Sequence, residues 1–179
     1  AVGEVVESRC EKLPVGTHVL HGLGWRTMAV LDETAARPVD VMIAPASLYL
    51  SVLGMTGLTA YFGVTDVLKA KAGETLVISA AAGAVGSIAG QVAKQRGARV
   101  IGIAGGPAKC EWVVKELGFD ACVDYKSGDL KTALCDACPK GVDVYFDNVG
   151  GDILDIVMTR LARKARIVIC GAISQYNNT

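Results

Sequence analysis

A glycine turn at residues 83–86 is the first feature of this sequence that could do chemistry. It follows the β-branched run Thr75–Ser79 and precedes a stretch with helical periodicity. A strand, a glycine turn and a helix in this order bind the pyrophosphate of a dinucleotide, because glycines allow close backbone approach and the helix directs its amide end at the phosphates. The sequence therefore predicts a dinucleotide site at Gly83, Ala84, Val85 and Gly86.

The end of the second predicted strand distinguishes between the two common nicotinamide dinucleotides. An NAD-binding unit carries Asp or Glu about 20 residues beyond the first glycine, where the carboxylate binds the ribose 2′-hydroxyl. Here residues 103–106 are Ile, Ala, Gly and Gly, and Lys109 follows them. The missing anion and the nearby cation both favour a 2′-phosphate. The predicted cofactor is NADP(H).

The elements that position these residues alternate between strand and helix patterns from Thr75 onward. Strands are predicted near 75–80, 99–104, 121–124, 142–147 and 165–171, and helices near 85–96, 107–117, 127–137 and 151–162. This alternation predicts an α/β fold with a doubly wound parallel sheet of strand order 3-2-1-4-5, whose ligand crevice lies at the carboxyl ends of the strands. The sixth strand of such a sheet is expected to be missing from this sequence.

The first 44 residues have a different pattern. Short strands are predicted at 2–7, 18–20 and 28–31, separated by proline and glycine, and this antiparallel material is too short to close a barrel alone. Residues 45–71 have a helical pattern, which Gly54 and Gly57 are expected to break. We therefore expect a first, incomplete domain over 1–44 and a dinucleotide-binding domain over 45–179.

Composition excludes several classes of partner. Lys and Arg total 18 against 18 Asp and Glu, without a basic cluster, so neither a nucleic-acid groove nor an anionic membrane surface is favoured. No apolar run approaches the roughly 20 residues of a spanning helix, and no signal pattern is present. With 51% hydrophobic residues, the sequence predicts a globular cytoplasmic protein without nucleic-acid or membrane partners.

The cysteines and histidines do not favour a metal site. The six cysteines, in a chain with α/β patterning, are predicted to be reduced thiols. Cys135 and Cys138 form a single CxxC, which we interpret as surface thiols because a zinc ribbon needs a second pair. The only histidines, His18 and His21, are predicted to be structural. No metal is predicted.

Four motifs extend the interpretation beyond the glycine turn. They are Gly-Met-Thr-Gly-Leu-Thr-Ala-Tyr at 54–61, Ala-Ala-Ala-Gly-Ala-Val-Gly at 80–86, Phe-Asp-Asn-Val-Gly-Gly at 146–151 and Cys-Gly-Ala-Ile-Ser-Gln-Tyr-Asn at 170–177. With these motifs the chain resembles zinc-independent medium-chain dehydrogenase/reductases, most closely the group of prostaglandin reductases, leukotriene hydroxydehydrogenase, plant alkenal double-bond reductases and bacterial curcumin reductases. The resemblance covers essentially the whole chain. It implies that residues 1–44 end a GroES-like catalytic domain and that residues 45–179 form a Rossmann domain.

The resemblance also implies an activity. Members of the group use NADPH to reduce the carbon–carbon double bond of α,β-unsaturated aldehydes or ketones without a metal, as in 2-alkenal and 15-oxoprostaglandin reduction. Such a reduction builds negative charge on the carbonyl oxygen, so the site needs a hydrogen-bond donor. By similarity Tyr176 is the candidate catalytic donor, and the alternative is a tyrosine that only shapes the pocket. The implied partners are a small enone or alkenal substrate and, in the complete protein, a second copy of the chain in a homodimer.

The remaining cofactor contacts are implied by position in the same motifs. Lys109 and Tyr125 correspond to the 2′-phosphate site, and Asn148 to the nicotinamide side. Structural alternatives stay open for Lys109 as a solvated lysine on a helix, Tyr125 at the sheet edge, Asn148 in a turn and Met55 in a core. The group often has serine where this chain has Gly106. The full set of implied cofactor residues beyond the glycine turn is Met55, Lys109, Tyr125, Asn148, Cys170, Gly171, Ala172, Ile173, Ser174, Gln175 and Tyr176.

Two other functions remain compatible with the sequence. One is an NADPH quinone oxidoreductase of the same superfamily, which has a similar glycine turn. The other is a nucleotide-binding module without turnover. Turnover of enones against quinones, and NADPH binding without hydride transfer, would distinguish these three hypotheses.

Overall fold

The computed structural model describes residues 1–177, and its internal contacts divide the chain into the units Ala1–Thr56 and Gly57–Thr179. The predicted boundary between residues 44 and 45 therefore lies within the first unit. Each unit has its own hydrophobic core. Among residues 1–177, no helix combines the length and the apolar character needed to cross a membrane.

The first unit contains a small antiparallel sheet of three strands in the order β1-β2-β3. The strands are β1 (Val2–Glu4), β2 (His18–Leu20) and β3 (Arg37–Val39), and short 3₁₀ helices lie at Glu33–Ala35 and Ala46–Leu50. The buried core of this unit is small because only a few apolar side chains point inward. These are Leu13, Val19 and Ala36.

The third strand of this sheet is not where the sequence predicts it. Residues 28–31 form no strand, and β3 at Arg37–Val39 pairs with β2 instead. Met28 and Val30 are 75% and 98% exposed, so their β propensity finds no packing surface. Pro38 was a poor strand signal, but β3 is an edge strand and tolerates a residue without an amide proton.

The predicted helical region 45–71 contains the 3₁₀ helix Ala46–Leu50, one α-helix and one π-helical turn. Helix α1 spans Met55–Phe62 and continues into the π turn Gly63–Val67. Gly54 precedes α1 as predicted, and a Cβ there would lie 2.4 Å from the carbonyl oxygen of Tyr49. The expected break at Gly57 is wrong, because Gly57 lies buried inside α1.

The second unit is a parallel five-stranded sheet in the order β6-β5-β4-β7-β8, which confirms the predicted order 3-2-1-4-5. The fold is therefore a Rossmann-like doubly wound α/β fold. The strands are β4 (Thr75–Ser79), β5 (Arg99–Ala104), β6 (Ala121–Asp124), β7 (Val142–Asp147) and β8 (Leu161–Ile169). The helices are α2 (Ala84–Gln95), α3 (Pro107–Lys115), α4 (Leu130–Ala137) and α5 (Gly151–Met158).

Alternate strand residues point to opposite faces of this sheet, so the second unit has two buried layers. Leu76 and Ile78 of β4 belong to one layer, whereas Val77 belongs to the other. Gly90 of α2 allows close packing, because a Cβ there would lie 1.8 Å from the Phe119 ring. The strands therefore hold their carboxyl ends at one fixed edge.

The last helix and strand differ from their predicted bounds. Helix α5 ends at Met158, whereas the prediction extends to 162, and β8 spans Leu161–Ile169 in place of the predicted 165–171. The strand begins early because Leu161 already pairs with Val142, with an irregular register between Val142 and Val144. The apolar periodicity of the helix and that of the strand overlap between these two elements. The predicted boundary between α5 and β8 therefore lies too far along the chain.

The CxxC pair is only partly at the surface. All six cysteines are free thiols, but Cys138 is 1% exposed and belongs to a hydrophobic layer of the sheet. Burial raises the pKa of the Cys138 thiol to about 11. The interpretation of both residues as surface thiols is therefore wrong for Cys138, because this C-cap residue of α4 packs into the hydrophobic layer.

Candidate functional site

A cavity of about 780 Å³ opens at the carboxyl ends of strands β4 to β7. This is the edge at which the strand order reverses between β4 and its two neighbours, and open α/β sheets bind ligands there. The cavity is lined by Ala80, Ala82, Gly83, Ala104, Gly105, Lys109, Tyr125, Gly128, Asp129, Leu130, Val149, Gly150, Asp152, Ile153, Ile156, Ile173 and Ser174.

At one position of the glycine turn, Gly86, the backbone geometry allows only glycine. Ala80, directly after β4, has a positive φ of 49°, and its carbonyl oxygen accepts the amide of Gly83 at 2.8 Å. A Cβ at Gly86 would lie 2.4 Å from the same oxygen. Helix α2 then begins with Gly83 as its N-cap, without a capping side chain and without an acidic residue in its first turn. These first-turn amides suit an anion, because the helix dipole is positive at this end.

The opposite end of the cavity carries a cation and an aromatic ring. Lys109 lies exposed in the first turn of α3, and Tyr125 directly follows β6. A Cβ at Gly105 would lie 2.9 Å from both Cε1 and Oη of Tyr125, so the ring lies against the end of β5. Both predicted 2′-phosphate residues thus line one cavity.

Sequence analysis missed two charged residues at this end. Lys126 Nζ lies 5.9 Å from the centroid of the Tyr125 ring. The carboxylate of Asp124 accepts the amides of Gly106 at 2.8 Å and Lys126 at 2.9 Å. These two hydrogen bonds lower the pKa of Asp124, so the group is charged at neutral pH. The sequence signal that could have identified Asp124 was its position at the end of the third predicted parallel strand.

A buried carboxylate organises the ends of β4 and β7. Asp147 is 0% exposed, and its Oδ1 accepts Ser79 Oγ at 2.9 Å and Tyr145 Oη at 2.8 Å. The same oxygen accepts the amides of Val149 and Gly150, each at 3.1 Å. Burial raises the pKa of Tyr145, so its hydroxyl keeps the proton that it donates. Four donors therefore converge on one carboxylate behind the cavity wall.

Asn148 is fixed by the neighbouring strand. Its amide donates to Ser79 Oγ at 2.8 Å, and its side-chain Nδ2 donates to the Ser79 carbonyl oxygen at 2.8 Å. Ser79 consequently donates to Asp147 and accepts from Asn148 at once. This arrangement links the start of the glycine turn to the loop after β7.

The segment after β8 folds over the loop that follows β7. The amide of Cys170 donates to the Asp147 carbonyl oxygen at 2.8 Å, and Ser174 Oγ donates to the Val149 carbonyl oxygen at 2.6 Å. Tyr176 is 67% exposed, and its Oη accepts the Ala172 amide at 3.1 Å. The Tyr176 hydroxyl proton is not used in that bond and can be donated elsewhere.

The structure brings part of the predicted site together. Gly83, Lys109, Tyr125, Ile173 and Ser174 line the cavity. Met55, at the start of α1, belongs to the first unit. The other predicted residues are not among those that line the cavity. Ala84, Val85 and Gly86 begin α2, Asn148 lies in the loop after β7, and the rest lie in the segment after β8, namely Cys170, Gly171, Ala172, Gln175 and Tyr176.

Within residues 1–177, no group of three or more His, Cys, Asp or Glu side chains is placed to hold a metal ion. Cys170 directly follows β8, and burial together with the nearby charge of Asp147 raises the pKa of its thiol.

Comparison with known families and curated proteins gives consistent matches. The family described as zinc-binding dehydrogenase matches residues 84–179. The chain is 54% identical over 177 residues to the putative NADP-dependent oxidoreductase YfmJ of Bacillus subtilis, covering 98% of this chain and 52% of the relative. It is 47% identical over 184 residues to prostaglandin reductase 1 of Bos taurus, covering 99% and 55%. The chain thus spans about half the length of the curated relatives it matches.

Solved structures give the same pattern. CurA from Vibrio vulnificus in complex with NADPH superposes with a TM-score of 0.91 at 45% identity, over 99% of this chain and 54% of that one. The Escherichia coli quinone oxidoreductase complexed with NADPH superposes with a TM-score of 0.73 at 26% identity, over 98% and 56%. The nucleotide-binding architecture is shared with both.

Proposed function

This chain belongs to the zinc-binding dehydrogenase family, and from that premise we propose that its protein is an NADP(H)-dependent oxidoreductase. The observation that carries the proposal is the cavity with an uncapped helix N-terminus at one side and Lys109 beside Tyr125 at the other. A dinucleotide phosphate needs anion-binding groups at two separated points, namely its pyrophosphate and its 2′-phosphate. The uncapped helix N-terminus suits the pyrophosphate and Lys109 suits the 2′-phosphate.

The residues present fit such a cofactor. The first-turn amides of α2 would hold the pyrophosphate, and Gly86 keeps the turn free of a Cβ that would collide with Ala80. Lys109 would pair with the 2′-phosphate, and the Tyr125 ring would border the adenosine. Asn148, held by Ser79, would border the nicotinamide.

The bound dinucleotide supplies a hydride, and the chain supplies the surrounding polarity. Tyr176 is our candidate donor to a substrate carbonyl oxygen, because its hydroxyl proton is free of the Ala172 bond. The buried Asp147 network holds the loop after β7, so the site does not depend on mobile side chains there.

We further propose that the substrate is an α,β-unsaturated aldehyde or ketone, reduced at its carbon–carbon double bond. The support is the similarity to prostaglandin reductase 1 and to the NADPH-dependent curcumin reductase of Escherichia coli, 43% identical over 178 residues. A quinone substrate is the second candidate, favoured by the superposition on quinone oxidoreductases bound to NADPH.

The direct experiment is a substrate comparison on the protein with NADPH and with NADH. NADPH oxidation is followed by absorbance while product is identified by mass spectrometry for 4-hydroxynonenal, a 15-oxoprostaglandin and a series of quinones. We expect saturated carbonyl products from the enones, with NADPH preferred. Faster turnover of the quinones would favour the second candidate, and NADPH binding without any turnover would favour a nucleotide-binding module.

Metal independence and dimerisation are part of the same proposal. We expect activity to survive exhaustive dialysis against a chelator, with metal analysis showing no stoichiometric zinc. We expect light scattering of the complete protein to give a homodimer. Loss of activity that zinc alone restores would contradict the first expectation, and a monomeric mass would contradict the second.

A further inference from the structure

Two cysteine side chains meet beside the charged end of the cavity. Cys110 lies in the first half of α3 and Cys122 in β6, and their Sγ atoms are 3.0 Å apart. Both side chains are partly buried. The pair joins a helix and a strand that are neighbours in the fold but separated by 12 residues in sequence.

The surroundings leave room for these two sulfur atoms. Gly102 of β5 is the strand partner of Cys122, and a Cβ at Gly102 would lie 3.2 Å from Cys122 Sγ. Glycine at this position therefore lets the Cys122 side chain lie over β5 toward α3. A disulfide has an S–S bond of about 2.05 Å, so the sulfur atoms need to approach by roughly 1 Å.

We propose that Cys110 and Cys122 are an oxidation site at which a low-molecular-weight disulfide, such as oxidised glutathione, introduces a reversible disulfide. The Cys110 thiolate attacks one sulfur of the small disulfide and releases one thiol, which leaves a mixed disulfide on Cys110. Cys122 then attacks Cys110 Sγ and releases the second thiol. Two protein thiols are oxidised, one small disulfide is reduced, and the two thiol protons leave on the two released thiols.

The order of the two steps follows from the burial of the Cys122 thiol. Burial raises the pKa of the Cys122 thiol, and the contact with Cys110 raises it further. Cys122 is therefore a poor thiolate and is badly suited to attack an external disulfide. Cys110 reacts first, and Cys122 resolves the mixed disulfide within the protein.

The site lies next to the residues that we assign to the 2′-phosphate. Lys109 precedes Cys110 directly, and Tyr125 follows Cys122 by three residues. A disulfide pulls the first turn of α3 toward β6, which displaces Lys109 relative to Tyr125 in the cavity wall. We therefore expect weaker NADPH binding in the oxidised protein. This consequence rests on the proposed function, whereas disulfide formation does not.

The first experiment maps the bond. The folded protein is equilibrated with oxidised glutathione, free thiols are blocked by alkylation, and a tryptic digest is analysed by mass spectrometry. Cleavage after Lys109, Lys115 and Lys126 releases the peptides 110–115 and 116–126. We expect these two peptides to be linked, and dithiothreitol to separate them.

Matched variants decide whether the pair is specific. Cys110→Ser and Cys122→Ser should each abolish the linked peptides, whereas Cys135→Ser should retain them. Glutathione retained on Cys110 in the folded wild-type protein, without the link, would overturn the proposal. The absence of any reaction at Cys110 would overturn it as well.

The second experiment measures NADPH binding of the same oxidised and reduced samples. We expect the dissociation constant to rise by roughly five-fold or more on oxidation and to return with dithiothreitol. Linked peptides with an unchanged dissociation constant would overturn the effect on the cofactor. If neither form binds NADPH, the proposed function fails, while the peptide map still decides the oxidation site.

Discussion

The two ends of the cavity are built by different physical means. At the β4 and β7 end, Asp147 is fully buried and accepts hydrogen bonds from two hydroxyls and two backbone amides. At the β5 and β6 end, Lys109 and Tyr125 are exposed to solvent. The first end is fixed by bonds that water cannot replace, whereas the second acts through charges that salt can screen. We therefore propose that the first end sets the shape of the cavity and that the second end sets its selectivity for the cofactor.

The largest expected effect comes from removing the buried carboxylate. In Asp147→Ala, the hydroxyls of Ser79 and Tyr145 and the amides of Val149 and Gly150 lose their acceptor while remaining buried. We expect the free energy of unfolding to fall by about 3 kcal/mol or more, measured by urea denaturation.

The control for this substitution is Asp155→Ala, which removes an exposed carboxylate from α5. It should change the free energy of unfolding by less than about 0.5 kcal/mol. A similarly small loss for Asp147→Ala would show that the network does not hold this end of the cavity.

The next effect concerns the glycine turn. In Gly86→Ala, the added Cβ would lie 2.4 Å from the carbonyl oxygen of Ala80, which is backbone and cannot rotate away. We expect a loss of about 1–3 kcal/mol in unfolding free energy together with weaker NADPH binding. Ser87→Ala, one residue further along α2, is the control for both measurements. Wild-type stability and affinity in Gly86→Ala would contradict the close approach.

The smallest expected effect tests the charge at the other end. Asp124→Asn keeps an oxygen that accepts the amides of Gly106 and Lys126, but it removes a negative charge near the assigned 2′-phosphate site. Because the pKa of Asp124 is lowered, this charge is present at neutral pH. The carboxylate is protonated only at a pH lower than an ordinary carboxyl group requires. We expect NADPH to bind about two-fold more tightly, measured by titration at low salt, and NADH to bind unchanged. Weaker NADPH binding would contradict the expected repulsion between the Asp124 carboxylate and the 2′-phosphate.

The sequence predicted the features that depend on local pattern. The order of the five parallel strands follows from alternating strand and helix periodicity with right-handed crossovers. The glycine turn follows from a local motif, and Pro107 was correctly placed in the first turn of α3. Such features follow from the order and spacing of residues along the chain, which can be read from a single sequence.

The features that the sequence did not predict depend on contacts between distant segments. Residues 28–31 have the side chains of a typical strand, but Arg37–Val39 pairs with β2 instead. Asp124 and Cys122 meet the end of β5 and the helix α3 only after the sheet has formed. Likewise, the convergence of Ser79 and Tyr145 on Asp147 depends on side-chain directions at the ends of β4 and β7, which the predicted strand order alone does not give. No spacing along the chain contains that information.

We propose that Lys109 recognises the 2′-phosphate and thereby selects the cofactor. Titrating wild-type protein and Lys109→Ala with NADPH and with NADH tests it directly. Lys115→Ala, on the same helix and paired with Glu111 at the surface, serves as the control. We predict that Lys109→Ala weakens NADPH binding by about 1–3 kcal/mol and leaves NADH binding unchanged. Equal weakening of both dinucleotides, or none of either, would contradict the account.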